Sequence, residues 1–104
     1  GVGGQTAQMV AEKIALIASE KQVLCITHSP QIACMADSHI YVEKKINDEN
    51  TTTEIRVLNQ SERLLELTRM IAGGDITQLA IDNATEMFNT AQQKINKWKN
   101  KAQA

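Results

Sequence analysis

The chain has no surplus of either charge: eleven lysines and arginines face twelve aspartates and glutamates, for a formal net charge of −1 and a pI near 6.1. That balance gives no global attraction to nucleic acid, so any such contact must come from a local patch. No apolar run is long enough to span a bilayer, and no charged start followed by an apolar middle marks a secretory segment. The expectation is a soluble cytoplasmic protein. Cys25 and Cys34 are the two cysteines, which suits reduced thiols and gives no disulfide framework. Proline occurs once, at Pro30, and there is no internal repeat. What is present suffices for one small domain or a piece of a larger one, since 42% of the 104 residues are hydrophobic and can form a core. The chain opens on Gly1-Val2-Gly3-Gly4 and not on methionine, from which it is expected to be cut from something longer.

The stretch around which the rest is organised is Gln22-Val23-Leu24-Cys25-Ile26-Thr27-His28-Ser29-Pro30-Gln31. Its continuous apolar run, residues 23–26, predicts a strand covered on both faces, as in a parallel sheet flanked by helices. Pro30 cannot continue a central strand and suits the first turn of a helix, so a short helix is expected from Pro30 through Ala36. His28 then falls at the carboxyl end of a core strand, the edge where open α/β sheets bind ligands. A polar histidine in a turn is the plain alternative.

Around this stretch the elements follow in order. Thr6 is a candidate cap for a helix running to about Ser19, with Ala7, Val10, Ile14 and Ile17 on its buried face. Residues 40–44 and 52–58 alternate apolar and polar side chains on either side of the polar turn Asn47-Asp48-Glu49-Asn50, which predicts an antiparallel hairpin within residues 38–58. Ser61 can cap a helix through Ala72, with Leu64, Leu67 and Ile71 on one face and Gly73-Gly74 as its stop. Thr77 can start the last helix, in which Ala80, Ala84, Met87, Ala91, Ile95 and Trp98 keep helical spacing. Its end carries Lys94, Lys97, Lys99 and Lys101 without an acid. Those lysines suit a helix C-terminus; with Trp98 they are also a candidate nucleic-acid patch.

Cys25, His28, Cys34 and His39 are all possible zinc ligands. The spacing argues against a zinc site, since Cys25 lies inside the expected strand and no Cys-x-x-Cys clamp is present, and buried free cysteine behaves as a small hydrophobe. No metal ligand is assigned. A serine hydrolase would need a nucleophile poised against His28. Ser29 lacks the Gly-x-Ser-x-Gly elbow and Asp37 has no special claim on the imidazole, so Ser29 is read as a helix cap.

The run Ile26-Thr27-His28-Ser29-Pro30-Gln31-Ile32-Ala33-Cys34-Met35-Ala36-Asp37 resembles the switch-histidine segment of ABC-type ATPase heads of the SMC-like family. Gly1-Val2-Gly3-Gly4 is similar to the end of the D-loop in those heads. The resemblance covers nearly the whole chain, strongest over residues 22–37 and weakest after Thr77. It implies an α/β fold: the carboxyl-terminal lobe of a P-loop NTPase head, with residues 1–4 ending the D-loop, 22–37 carrying the switch histidine, 38–58 the hairpin and 61–98 the helices. It further implies that His28 donates to the γ-phosphate of ATP and helps hold the attacking water, with Thr27 and Gln31 supporting its placement. Gly1, Val2 and Gly3 would meet the opposite head. The implied cofactors are ATP and Mg2+ in a longer parent, and the implied partners are DNA and a second head in a homodimer, with no membrane. The implied role is recombinational repair of DNA double-strand breaks in a bacterial nucleoid. Neither a Gly-x-x-x-x-Gly-Lys-Ser/Thr phosphate loop, nor an ABC signature, nor an acidic Walker B pair occurs here, so the segment alone is expected not to hydrolyse ATP. A non-catalytic module binding DNA or protein through the hairpin and the lysine-ended helix is the alternative, discriminated by salt-sensitive DNA binding.

Overall fold

The computed structural model describes residues 3–103. Four helices and one hairpin follow in the order α1 (Gly4–Ala18), α2 (Pro30–Cys34), β1 (Ile40–Ile46), β2 (Thr51–Val57), α3 (Gln60–Ala72) and α4 (Gln78–Gln103). The protein is mixed α/β, with an antiparallel two-stranded sheet followed by carboxyl-terminal helices.

One core joins the helices. Leu67 of α3 meets Ala84, Phe88, Ala91 and Ile95 of α4, and α1 and α2 close over them with Ala11, Ala33 and Cys34. Alanine recurs because small side chains let helix axes approach closely, and interior packing leaves little space unfilled. In α1 the buried positions are Ala7 and Ala11, with Ala15 against the core, whereas Val10 and Ile17 are exposed. The stripe expected on Val10 and Ile17 is therefore displaced around the helix onto its alanines.

The hairpin pairs Ile40 with Val57, Val42 with Ile55 and Ile46 with Thr51. Asn47 and Asn50 exchange both backbone hydrogen bonds across the turn, at 2.8 and 3.1 Å. Alternation puts Ile40, Val42, Ile46, Ile55 and Val57 on one face, and all five are exposed. The other face carries Tyr41 under the Arg56 guanidinium, 5.9 Å from the ring centre.

Three helix starts differ from the sequence expectation. Gly3, not Thr6, is the cap residue of α1, without a side-chain cap bond. Ser29 precedes α2 without capping it, because its hydroxyl donates to Gln31 Oε1. α3 starts at Gln60 and not after Ser61: Asn59 Oδ1 accepts from the Glu62 amide at 2.9 Å, and Glu62 Oε1 accepts from the Asn59 amide at 3.0 Å. This reciprocal box satisfies two orphan donors. Asn59→Ala is expected to cost about 1 kcal/mol in a denaturant titration. At the other end Gly73 turns the chain at φ 76°, as a helix stop requires, and Thr77 Oγ1 accepts from Ala80 N at the start of α4.

The expected buried strand does not form. Residues 22–29 take no regular secondary structure and pair with nothing among the described residues. Leu24 is 83% and Ile26 97% exposed, and Cys25, assigned to the core, is exposed too. A parallel strand needs neighbours on either side and covering layers, and no described segment supplies them.

Candidate functional site

Of the residues singled out by sequence, Thr27 and His28 lie on the turn that precedes α2 and Gln31 in the first turn of that helix. Thr27 Oγ1 accepts from the Ser29 amide at 2.9 Å, a side-chain turn that spans His28 and fixes the backbone on both sides of it. Ser29 Oγ donates to Gln31 Oε1 at 3.0 Å. Pro30 opens α2 with its φ already suited to a helix. His28 itself is exposed, so its imidazole faces solvent from a backbone held by its neighbours.

Gln31 joins this turn to α1. A Cβ added at Gly4 would lie 3.4 Å from Gln31 Nε2, so the glycine stretch and the histidine segment meet at the start of α1. Gly3 has open space around its Cα. Gly1 and Val2 lie outside the described residues. Of the positions expected to act together, the structure thus brings Thr27, His28 and Gln31 to the start of α2, with Gly3 next to the glycine that Gln31 reaches.

One residue outside the sequence expectation, Arg63, holds the far end of the segment that follows this turn. Arg63 of α3 is buried, and its Nη2 donates to the Ala36 carbonyl at 2.8 Å and to the Ala33 carbonyl at 3.4 Å. Its guanidinium lies over the Phe88 ring of α4, 5.0 Å from the centroid. Burial lowers the Arg63 pKa from its ordinary value, although arginine remains charged at any physiological pH. The signal available in sequence was an arginine on the otherwise apolar side of α3, between Asn59 and Leu67. It was overlooked because its partners stand 27 and 30 residues away.

The other titratable groups play supporting parts. Burial pushes the Cys34 thiol up to about 11, and its Sγ donates to the Gln31 carbonyl at 3.2 Å. His39 lies partly buried with its pKa lowered by burial, and its carbonyl closes the hairpin by accepting from Leu58 N at 2.9 Å. Among the described residues no three His, Cys, Asp or Glu side chains converge as metal ligands. Cys25 and Cys34 lie one in solvent and one in the core.

The lysine-ended helix is partly committed elsewhere. Lys94 Nζ donates to Glu12 Oε1 at 2.8 Å, and that bond holds the Glu12 carboxyl below its usual range. Lys99 lies 3.5 Å from Asp37, and Trp98 packs against the core. Trp98 is half-buried, one part of its ring against the core and the rest open to solvent. No described helix is long and apolar enough to cross a membrane.

No protein-family model matches the chain. Individual proteins do. The chain is 46% identical over 93 residues to the DNA repair protein RecN of Bacillus subtilis, covering 89% of this chain and 16% of that protein. It is 47% identical over 91 residues to the DNA repair protein RecN of Halalkalibacterium halodurans, covering 88% and 16%. The protein of the same name in Haemophilus influenzae is 40% identical over 89 residues, again 86% of this chain and 16% of the relative. The chain thus spans about one sixth of the length of the relatives it matches.

Proposed function

The chain belongs to the RecN family of DNA repair proteins, and from that premise we propose that it is the carboxyl-terminal part of an SMC-like ATPase head, supplying a switch histidine to ATP-driven pairing of two heads during repair of double-strand breaks. The observation that carries this reading is the placement of His28. Its imidazole is exposed while the Thr27 side-chain turn and α2 fix the backbone around it, which is how a residue that contacts a ligand, and not its own fold, is held.

These residues suit a triphosphate. Phosphoryl transfer depends on positioning and charge stabilisation more than on covalent chemistry by the protein. Bound ATP with Mg2+ would supply the γ-phosphate to which the site responds. His28 would donate a hydrogen bond to a γ-phosphate oxygen and help hold the attacking water; Thr27 and Gln31 accept the hydrogen bonds of Ser29 that fix the turn around it. Gly3, with open space where a side chain would stand, permits close approach of the opposite head. The exposed apolar run around Leu24 and Ile26 would become a parallel strand of the head only where neighbouring strands of a P-loop-type sheet lie beside it.

The test is a graft. This chain replaces the matching 93 residues of the Bacillus subtilis relative in a strain lacking that protein, and survival after ionising radiation is measured. Restored survival is expected. A soluble, normally expressed chimera that leaves survival at the deletion level sinks the reading.

A further inference from the structure

We propose that Arg63 is a positioning residue for His28, clasping α2 by its carboxyl end so that the turn in front of α2 keeps a single geometry; this rests on the reading of His28 given above.

α2 has only five residues, too few to persist without tertiary support. Arg63 Nη2 donates to the Ala33 carbonyl in the last turn of α2, which also accepts from the Ala36 amide, and more closely to the carbonyl of Ala36, two residues past the end of the helix. The charge also complements the negative end of the helix dipole. No carboxylate hydrogen-bonds to Arg63 among the described residues; its direct partners are two backbone carbonyls and the face of the Phe88 ring, with the Asp37 carboxylate acting on it through space.

For stability alone this is an expensive solution, since a well-packed apolar side chain in such a place is often as good or better. What arginine adds is direction. One guanidinium nitrogen, Nη2, reaches both carbonyls while the planar group lies over Phe88, and the short helix carries that constraint from the segment just past Cys34 back to Pro30, next but one to His28. α3, α4 and the histidine turn thereby become one mechanical unit.

The two cysteines report on the clasp without any need for activity. Cys34 sits in α2 at 1% exposure with its thiol pushed up to about 11, while Cys25 is exposed. In this 104-residue chain at neutral pH, Arg63→Met is expected to speed maleimide labelling of Cys34 by about tenfold or more. Cys25 labelling and far-UV helix content should stay unchanged, and Arg63→Lys should fall between. If Arg63→Met loses helix content, Arg63→Lys carries the test alone. Unchanged Cys34 protection overturns the clasp.

The link to His28 is read in the Bacillus subtilis chimera. Arg63→Lys should lower ATP turnover by about tenfold when His28 is present, because small displacements of an aiming group are costly. In a His28→Ala background it should lower turnover by less than about twofold, since residues acting through one another are non-additive. Equal factors in both backgrounds mean a merely structural residue and overturn the proposal. Turnover unaffected by His28→Ala alone sinks the reading of His28 instead, and Cys34 labelling then still shows whether Arg63 holds α2.

Discussion

Leu67→Ala is expected to lower the thermal midpoint of the chain by about 15 °C, because about 3 kcal/mol of packing is lost from a domain in which 1 kcal/mol moves the midpoint by about 5 °C. Leu67 is fully buried, at 0% exposure, where α3 faces Ala84, Phe88, Ala91 and Ile95 of α4. Half of the neighbours are alanines, whose short side chains cannot swing in to fill the space. The cavity therefore persists, and its cost adds to the lost transfer free energy. The informative control is Leu24→Ala. With Leu24 at 83% exposure, the change should stay within about 0.5 kcal/mol in this chain. In the longer chimera the same substitution should cost about 2 kcal/mol or more if neighbouring strands cover the run. Calorimetry of both variants in both proteins gives four midpoints. A large loss for Leu24→Ala in the isolated chain contradicts the exposed placement of residues 22–29, and no loss in either protein contradicts the covered strand.

The contrast between these two leucines shows what could be read in the sequence. Patterns whose cause is local came through: the alternation that pairs Ile40 with Val57, the helical spacing of Ala80, Ala84, Ala91 and Ile95, and Gly73 at positive φ. Each follows from the period of its own element or from one residue's backbone preference. The capping box was legible but missed, since Asn59 stands three residues before Glu62, the spacing that reciprocal capping needs. What lay beyond reach depends on distant chain. Leu24 has the composition of a buried strand, yet burial requires neighbours that this stretch cannot provide for itself. Arg63 illustrates the same point, for nothing beside it in sequence announces two carbonyls about thirty residues earlier. For the candidate site, residue identity pointed to His28, and the structure adds its exposure, the turn that holds it and the arginine behind that turn.

His28→Ala in the Bacillus subtilis chimera is expected to lower ATP turnover by about a hundredfold while leaving ATP affinity within about threefold, because a donor aimed at developing charge acts mainly in the transition state. Exposure argues that the fold will not suffer. His28 lies in solvent on a turn held by Thr27, Ser29 and Pro30, so the thermal midpoint should move by less than the equivalent of about 0.5 kcal/mol. Binding should be spared because a phosphate loop, absent from this chain, would make most of the phosphate contacts. His28→Gln separates two roles for the imidazole: a side-chain amide still donates a hydrogen bond but cannot take up a proton. Recovery of about tenfold or more over alanine would assign His28 to hydrogen bonding and water placement. Turnover as low as alanine's would assign it to proton movement. Single-turnover hydrolysis and equilibrium binding of a fluorescent ATP analogue supply the two quantities. Should affinity fall in step with turnover, His28 binds ground state and transition state alike, and its role is to hold the nucleotide, not to sense it.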